Sequence, residues 1–251
     1  LMHNTALAAM QVEGHYSAFC VSDAGAAMAG IRGMNIRGAS VTIPLKTEVM
    51  EYLDEIDADA LALGAVNTIV NDAGKLIGYN TDWLGLMQAL KNKISLSGKT
   101  FVIIGAGGTA RAAAYGIKKE GGQPIIVNRN QEKGKALAAQ FDCPFYPLAD
   151  IGKVQADALI NATSVGMYPQ IHRSPVEAVI PANYQVVVDV IYNPLKTKLL
   201  RDAEAKGCRI FSGLEMFVHQ GAAQLKLWTG REAPLALMKK TVRERLEKFE
   251  S

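Results

Sequence analysis

The sequence predicts an α/β fold with two α/β domains, and two patterns support this prediction. Between residues 98 and 212, short apolar runs alternate with helical segments, which is typical of an open, mostly parallel sheet. After this unit the chain is helical, and apolar residues between 238 and 249 recur at spacings of three or four. Because such a tail can pack back on the earlier part of the chain, we expect one discontinuous domain formed by residues 1–97 and 213–251.

The first unit contains several short elements that local patterns predict. Asp72-Ala73-Gly74 lies between two strand-like runs, and a loop of this length and composition favours a β-hairpin. Pro44 ends the preceding strand, and Asp82 is an acidic residue where a helix begins. In order, we expect a helix over 1–11, a strand over 15–21, a helix over 24–33, a strand over 38–43, a helical segment over 46–53, strands over 67–70 and 76–79, and a helix over 82–90.

The second unit begins with residues 100–104, a continuous apolar run that indicates a strand buried on both faces of a parallel sheet. A glycine-rich segment and an alanine-rich helix to Lys119 follow directly. Further along, we expect strands over 124–127, 158–161, 186–190 and 210–211, and a helix over 132–141.

Composition argues against several other kinds of protein. A net charge of +3 with a pI of 8.7 is too weak and too scattered to indicate a nucleic-acid partner. Three distant cysteines indicate reduced thiols in a cytoplasmic protein, and the four histidines show no ligand spacing, so we expect no metal. No apolar run approaches the roughly 20 residues of a membrane span. We expect a small-molecule substrate, and a monomer or homodimer.

The motif Gly105-x-Gly-Gly-x-Ala110 lies between an apolar strand and a helix, the context that a dinucleotide-binding loop requires. In such a loop Gly105 permits a tight turn, and Gly107 allows the backbone to approach a pyrophosphate. The helix that follows offers backbone N–H donors and the positive end of its dipole to the phosphates. We therefore predict a Rossmann dinucleotide-binding domain over residues 98–212; a glycine turn made only for packing is the alternative.

The end of the next strand indicates which dinucleotide is bound. Enzymes that use NAD usually have an acidic residue there, whereas this chain has Asn128-Arg129-Asn130, with Lys133 one helical turn further on. A guanidinium and an ammonium suit a 2′-phosphate, so the sequence favours NADP. The alternative is that both cations are solvated surface residues, and Glu132 nearby could pair with either.

Lys46 and Asp82 each follow a strand-like run, in the part of an α/β fold where ligands meet the sheet. Together they could hold a substrate hydroxyl and move its proton as hydride leaves the same carbon. From spacing alone, a surface lysine and an aspartate that caps a helix explain the two residues more simply.

At these residues the sequence resembles the shikimate dehydrogenase family, and the resemblance covers nearly the whole chain. The similar segments follow the family's order at plausible spacing, which makes the set far more specific than any one motif. They are 41–46 (VTIPLK), 64–68 (GAVNT), 78–82 (GYNTD), 105–110 (GAGGTA), 128–129 (NR), 161–167 (NATSVGM), 189–200 (DVIYNPLKTKLL) and 213–221 (GLEMFVHQG).

This resemblance implies a reversible, NADPH-dependent reduction of 3-dehydroshikimate to shikimate, in chorismate and aromatic amino acid biosynthesis. It implies that Lys46 and Asp82 are the catalytic pair. The residues implied to contact the substrate are Thr42, Asn67, Tyr192 and Gln220. Those implied to bind NADP are Gly105, Ala106, Gly107, Gly108, Thr109, Asn128, Arg129, Asn130 and Lys133, with Val190 and Gly213 against the nicotinamide.

Two residues and one missing motif depart from the family pattern. Asn130 and Lys133 stand where threonine and arginine are common in the family, and both changes keep polarity or charge. The family also has an SxS motif, whose serines bind the substrate carboxylate, a few residues before an HN pair. Here His3-Asn4 match the HN, and only two residues precede them, so we expect that upstream residues belong to the protein.

Two alternatives for the function remain open at this point. The first is a quinate/shikimate dehydrogenase with relaxed cofactor use; the absence of an acidic residue after the second strand of the Rossmann unit argues against NAD as its cofactor. The second is a non-catalytic NADP-binding regulatory protein, which the presence of both Lys46 and Asp82 argues against.

Overall fold

The computed structural model describes residues 1–91, 93–178 and 180–250, and these residues contain two β-sheets. The strands of the smaller sheet are β1 (Gly38–Ser40), β2 (Glu55–Ile56), β3 (Thr68–Asp72) and β4 (Lys75–Tyr79). They lie in the order β1-β3-β4-β2. Strand β3 is antiparallel to both β1 and β4, and β2 is parallel to β4.

The larger sheet has six strands, and every neighbouring pair is parallel. They are β5 (Thr100–Ile104), β6 (Gln123–Asn128), β7 (Phe145–Pro147), β8 (Ala158–Asn161), β9 (Val186–Asp189) and β10 (Arg209–Phe211). In the order β10-β9-β8-β5-β6-β7, the chain changes direction of travel between β5 and β8. Ligands of such sheets bind outside the carboxyl ends of the strands at that point. The predicted α/β fold is confirmed.

Strand β5 shows why a continuous apolar run forms the centre of this sheet. Successive side chains of a strand point to opposite faces. Phe101 and Ile103 belong to one buried hydrophobic cluster, and Val102 and Ile104 belong to another. Both faces of β5 are therefore covered, and no position between Phe101 and Ile104 is left for a polar residue.

The described residues form nine α-helices, together with three short 3₁₀ helices. The α-helices are α1 (Met2–Ala9), α2 (Ala24–Gly33), α3 (Ala58–Leu63), α4 (Asp82–Lys91), α5 (Gly108–Lys119), α6 (Gln131–Gln140), α7 (Lys198–Ala205), α8 (Leu214–Thr229) and α9 (Leu235–Glu250). The 3₁₀ helices are Glu48–Tyr52, Leu148–Lys153 and Ile180–Asn183. Among the described helices, none has the length and apolar character that crossing a membrane requires.

Helix α4 packs between α5 and α8, and two glycines allow the close approach. A Cβ atom at Gly85 would lie 2.7 Å from the carbonyl oxygen of Met216 on α8. A Cβ atom at Gly116 on α5 would lie 2.9 Å from Cγ of Met87 on α4. Because real Cβ atoms do not approach backbone atoms so closely, the contact of α4 with α8 requires glycine at position 85, whereas a Cβ at position 116 would force the Met87 side chain to shift.

The predicted hairpin is confirmed in β3 and β4. Asp72 pairs with Lys75, so Ala73 and Gly74 form a two-residue loop. Their φ angles are 52° and 94°, the left-handed values that a tight hairpin turn of this type requires. The hairpin returns the chain along β3 and brings the start of α4 next to the beginning of that strand.

Residues 15–21 do not form the predicted strand. The backbone N–H of Tyr16 donates to Oδ1 of Asn4 at 2.6 Å, and Nδ2 of Asn4 donates to the carbonyl oxygen of Tyr16 at 3.0 Å. The side chain of Asn4 thus satisfies the backbone groups of Tyr16 that a neighbouring strand would have bonded. No ladder partner pairs with the segment among the described residues.

Two further predictions in the first unit are wrong in extent. The strand predicted over 38–43 ends at Ser40, because the chain turns after that residue. The helical segment predicted over 46–53 is a turn followed by the 3₁₀ helix Glu48–Tyr52. The elements β2, α3, β7 and α7 were not predicted; each has eight residues or fewer, too few for a clear periodicity.

Helices α1, α8 and α9 share one hydrophobic cluster. Its apolar stripe on α9 consists of Met238, Val242 and Leu246, which pack with Met2 of α1 and Val218 of α8. The tail therefore packs on the beginning of the chain, as the spacing predicted; the side chain of residue 249 lies outside the described part.

A pH-dependent stability follows from His3 at the start of α1. Its ring is buried, stacks on Tyr16 with centroids 4.3 Å apart, and burial lowers its pKa from 6.5 to about 4. The unfolded chain therefore binds this proton more tightly, and the stability present above pH 6.5 is lost as the pH falls toward 4. Between pH 7 and pH 5, we expect His3 to remove about 2 kcal/mol from the free energy of unfolding.

Urea denaturation at the two pH values measures this effect. In His3→Phe, which keeps an aromatic ring against Tyr16, the loss of stability between pH 7 and pH 5 should shrink by about 2 kcal/mol. An unchanged pH dependence in that variant would show that His3 is not the titrating group.

Candidate active site

Lys46 and Asp82 form a buried ion pair at the edge of the small sheet. The Nζ atom of Lys46 lies 2.5 Å from Oδ2 of Asp82, and the two side chains are only 14% and 9% exposed. Charges removed from water require good mutual geometry and further hydrogen bonds. Asp82 is also the first residue of α4, where the positive end of the helix dipole favours a carboxylate. The fold thus brings together two residues that are far apart in sequence.

The amide of Asn67 binds the other oxygen of that carboxylate. Its Nδ2 donates to Oδ1 of Asp82 at 2.9 Å and to Oγ1 of Thr81 at 3.0 Å. Its Oδ1 accepts from the backbone N–H of Thr81 at 2.7 Å and from the hydroxyl of Thr68 at 2.8 Å. Because two donors face the amide oxygen, the amide nitrogen must face Asp82.

Backbone hydrogen bonds tie the turn that carries Lys46 to the segment that carries Asn67. The N–H of Val41 donates to the carbonyl oxygen of Asn67 at 2.8 Å. The N–H of Val66 donates to the carbonyl oxygen of Lys46, also at 2.8 Å. The turn is therefore fixed at both ends, which limits where the ammonium of Lys46 can lie.

Thr42, Tyr192 and Gln220, the other predicted substrate contacts, come from three parts of the chain. Thr42 is exposed in the turn before Lys46. Tyr192 is half-buried, its ring stacks on Phe217 with centroids 4.1 Å apart, and burial raises the pKa of its hydroxyl. Gln220 donates through Nε2 to the carbonyl oxygen of Phe217 at 3.0 Å. Tyr192 thus contacts the ring of Phe217, and Gln220 contacts its backbone carbonyl oxygen.

The glycine loop follows β5, where the large sheet changes its direction of travel. Gly105 has a φ of 123°, and a Cβ there would lie 3.2 Å from the carbonyl oxygen of Ala162, just after β8. A Cβ at Gly107, the N-cap of α5, would meet no atom within 4 Å, so open space lies there. The first N–H groups of a helix have no partner within it, and this arrangement fits a pyrophosphate. Ala106, Gly108 and Thr109 are half-buried in the same loop.

Gly108 brings the glycine loop to the ion pair. A Cβ at Gly108 would lie 3.3 Å from Cδ of Lys46, so the start of α5 borders the stem of that side chain. Two sets of residues that the sequence predicted separately therefore meet in one place.

Val190 and Gly213, the predicted neighbours of the nicotinamide, are in contact with each other. A Cβ at Gly213 would lie 2.0 Å from the carbonyl oxygen of Val190, so only glycine fits. The N–H of Gly213 also donates to the carbonyl oxygen of Ile191 at 3.0 Å. The segment after β9 is thus packed directly on the segment that leads into α8.

The four residues predicted around a 2′-phosphate lie at the end of β6 and the start of α6. Asn130 caps α6, since its Oδ1 accepts from the backbone N–H of Lys133 at 3.0 Å, and its carbonyl oxygen accepts from Nδ2 of Asn128 at 2.8 Å. The side chains of Arg129 and Lys133 are exposed. Neither makes an ion pair with any described residue, Glu132 included, so both charges are available to an anion.

Comparison with protein families agrees with this arrangement. The family model for the shikimate dehydrogenase substrate binding domain matches residues 1–69, and the model for shikimate / quinate 5-dehydrogenase matches residues 87–197. A third model, for the shikimate 5′-dehydrogenase C-terminal domain, matches residues 213–243. The chain is 44% identical to the shikimate dehydrogenase (NADP(+)) of Moorella thermoacetica, over 97% of this chain and 88% of that protein. The chain belongs to the shikimate dehydrogenase family.

Solved structures of shikimate dehydrogenases share the whole architecture. A crystal structure of a shikimate dehydrogenase in complex with NADP⁺ has a TM-score of 0.91 at 40% identity, covering 98% of this chain and 90% of that one. The Thermus thermophilus enzyme in complex with NADP(H) and shikimate has a TM-score of 0.88 at 35% identity, with 97% and 92% coverage. The resemblance that the motifs indicated is therefore confirmed across the length of the chain.

Several buried polar residues around the Lys46–Asp82 pair were not predicted from the sequence. Asn80 accepts from the backbone N–H of Asp82 at 3.0 Å and so caps α4. Thr68 and Thr81 orient the Asn67 amide, as described above. All three residues stand inside the motifs GAVNT and GYNTD, which was the available signal.

Asp189 is another buried polar residue that was not predicted. Its carboxylate accepts from the hydroxyl of Thr197 at 2.7 Å, the backbone N–H of Ile191 at 3.1 Å and Nδ2 of Asn161 at 3.1 Å. Burial raises the pKa of Asp189 to about 6. These bonds hold the ends of β8 and β9 to the segment that carries Val190.

The ion pair makes a testable prediction about stability. Asp82→Leu leaves the Lys46 ammonium buried without its partner, and we expect the free energy of unfolding to fall by about 3 kcal/mol. The double variant Lys46→Met/Asp82→Leu replaces both charges by apolar groups of similar size and should lie within about 1 kcal/mol of the wild type. Urea denaturation measures all three proteins. A double variant that is less stable than Asp82→Leu would contradict the explanation that Asp82→Leu loses stability because it leaves the Lys46 charge buried and unpaired.

Proposed function

We propose that this chain is an NADP-dependent shikimate dehydrogenase that reversibly reduces 3-dehydroshikimate to shikimate. The observation that carries the proposal is the buried Lys46–Asp82 pair, which borders the glycine loop at Gly108. A proton-transfer group and a dinucleotide-binding loop at one place are what an alcohol dehydrogenase reaction requires. Relatives named shikimate dehydrogenase (NADP(+)) over almost the full chain support the choice of substrate and cofactor.

The chain's residues would handle the proton of this reaction. When bound, NADPH supplies the hydride that reduces the carbonyl carbon. The ammonium of Lys46 gives a proton to the carbonyl oxygen as that oxygen gains charge, and takes it back in the reverse direction. Asp82 accepts a hydrogen bond from Lys46 and keeps the ammonium aimed at one point. Asn67 holds the second oxygen of Asp82 and so fixes the plane of the carboxylate.

We assign the remaining site residues by the same argument. Thr42, Asn67, Tyr192 and Gln220 would contact the substrate's hydroxyl and keto groups. Gly105, Ala106, Gly107, Gly108 and Thr109 would bind the pyrophosphate, and Val190 and Gly213 would lie against the nicotinamide. Arg129 and Lys133 would bind the 2′-phosphate directly, while Asn128 and Asn130 would shape the turn that presents them, because their hydrogen bonds are local.

We also propose the division of the chain into residues 1–97 with 213–251 and residues 98–212. The packing of α8 and α9 on α1 and α4 supports a discontinuous first domain. A cytoplasmic location and a monomeric or homodimeric state stay predictions from the sequence.

Turnover of shikimate with NADP⁺ is the direct test of this function. Reduction of NADP⁺, followed by its absorbance, is expected with the wild type and should fall at least about 100-fold in Lys46→Met, because the proton then has no positioned acceptor. Lys91→Met is a matched control, since Lys91 lies at the far end of α4 in an exposed ion pair. Lys46→Met turning over like the wild type would rule out the assigned role.

The same assay separates the alternatives. A structure from Listeria monocytogenes, 34% identical to this chain, contains shikimate and NAD, which makes NAD⁺ and quinate the necessary comparisons. Faster turnover of quinate than of shikimate would favour a quinate dehydrogenase. Binding of NADPH by well-folded protein without any turnover would favour a regulatory protein instead.

Cofactor preference provides a second test. In Arg129→Ala, the KM for NADP⁺ should rise about tenfold, the effect of one lost charge-assisted hydrogen bond of about 1.5 kcal/mol, while the KM for NAD⁺ should not change. Lys135→Ala removes another exposed cation of α6 and should alter neither value. Equal rises for both cofactors in Arg129→Ala would contradict a 2′-phosphate contact.

A further inference from the structure

Gln224 is a buried polar residue of α8 that joins two strands of the small sheet. It is only 2% exposed and lies one helical turn beyond Gln220. Its Nε2 donates to the hydroxyl of Thr68 at 3.1 Å, and its Oε1 accepts from the hydroxyl of Ser40 at 2.9 Å. Ser40 and Thr68 are direct partners in the ladder between β1 and β3. One side chain therefore bridges β1, which precedes the Lys46 turn, and β3, which begins directly after Asn67.

The single hydroxyl proton of Thr68 determines which partner donates and which accepts in its bonds to Gln224 and Asn67. A threonine hydroxyl has one proton to donate. Because Gln224 donates to the hydroxyl oxygen of Thr68, the Thr68 proton is free to point at Oδ1 of Asn67, which lies 2.8 Å away. The amide oxygen of Asn67 is held on that side, and its nitrogen is left facing Asp82.

Without the donor from Gln224, the Thr68 hydroxyl proton has a second acceptor to point at. The hydroxyl oxygens of Thr68 and Thr81 lie 3.2 Å apart, and either one can donate to the other. The Thr68 proton could then turn toward Thr81, and the amide oxygen of Asn67 would lose one of the donors that hold it. The backbone N–H of Thr81 would remain as a donor to that oxygen, and the Asn67 amide would be held less firmly in its plane.

We propose that Gln224 is a positioning residue for the reaction: through Thr68 it fixes the orientation of the Asn67 amide, and through Ser40 it fixes the strand that precedes the Lys46 turn. The inference rests on the proposed function, in which Asn67 and Asp82 aim Lys46 at the substrate. Gln224 itself touches neither Lys46 nor Asp82 in the described contacts.

The test uses near-isosteric variants of the full chain. Gln224→Met removes the donor and the acceptor while keeping the length of the side chain, and Gln88→Met makes the same change at an exposed position of α4. Thr68→Val removes the hydroxyl that relays the orientation, and Thr68→Ser restores it. We expect kcat for shikimate oxidation to fall about tenfold in Gln224→Met and Thr68→Val, with the KM for NADP⁺ unchanged. Gln88→Met and Thr68→Ser should stay near the wild type.

Two further results distinguish positioning from a general loss of stability. The double variant Gln224→Met/Thr68→Val should lose about as much kcat as Gln224→Met alone, because Thr68→Val interrupts a route that Gln224→Met already interrupts. In nitrogen-15 NMR spectra, the side-chain amide of Asn67, assigned by its loss in Asn67→Asp, should shift and exchange faster with water in Gln224→Met. If Gln224→Met fails to fold, the Thr68→Val and Thr68→Ser pair carries the same test.

The proposal is overturned if folded Gln224→Met keeps both its kcat and the Asn67 amide signals. It is equally overturned if Thr68→Ser is as slow as Thr68→Val, or if the two losses multiply in the double variant. A wild type that lacks shikimate turnover would remove the proposed function, and the Asn67 amide signals would then decide the positioning role alone.

Discussion

The carboxylate of Asp82 is withdrawn from water at the start of α4, and a charge in that position must find donors on every side. One oxygen binds Lys46 and the other binds Asn67, and the helix dipole adds to both. These partners are 36 and 15 residues away in sequence. The small sheet is what brings them together, because the β1–β3 ladder fixes the start of the Lys46 turn against Asn67.

Helix α4 links the position of Asp82 to the packing of α5 and α8. Its N-terminus holds Asp82, while the glycine contacts at Gly85 and Gly116 let it pack closely against α8 on one side and α5 on the other. The distance between the ion pair and the glycine loop therefore depends on helix packing, and Gly108 borders Lys46 as a result. One buried helix therefore connects the ion pair to the glycine loop.

How much of the fold and of the site the sequence predicts depends on the kind of pattern. A strand buried on both faces needs a continuous apolar run, so the predicted bounds of β5 match the structure to the residue. The glycine motif that follows it can be located from its sequence alone. The ion pair is not predictable from spacing, because no local pattern states that residues 46 and 82 meet; only the family motifs imply it. Residues 15–21 have the composition of a strand, but no described strand pairs with them, and the backbone groups of Tyr16 bond to the Asn4 side chain instead. Gln224 stands in a helix among alanines and leucines, where its role depends wholly on tertiary contacts.

Burial also determines which of the predicted site residues can be substituted at little cost in stability. Lys46, Asp82 and Asn67 are bonded to one another away from water, so replacing one leaves the others with unmatched groups. Arg129 and Lys133 are exposed, and the turn that presents them is capped by Asn130 rather than by their own side chains. If Arg129 and Lys133 bind the 2′-phosphate as proposed, a change of cofactor preference needs only surface substitutions, at little cost in stability. If Lys46 and Asp82 carry the proposed proton transfer, a change in that chemistry needs a rebuilt buried network, so the ion pair constrains the fold more strongly than the choice of cofactor does.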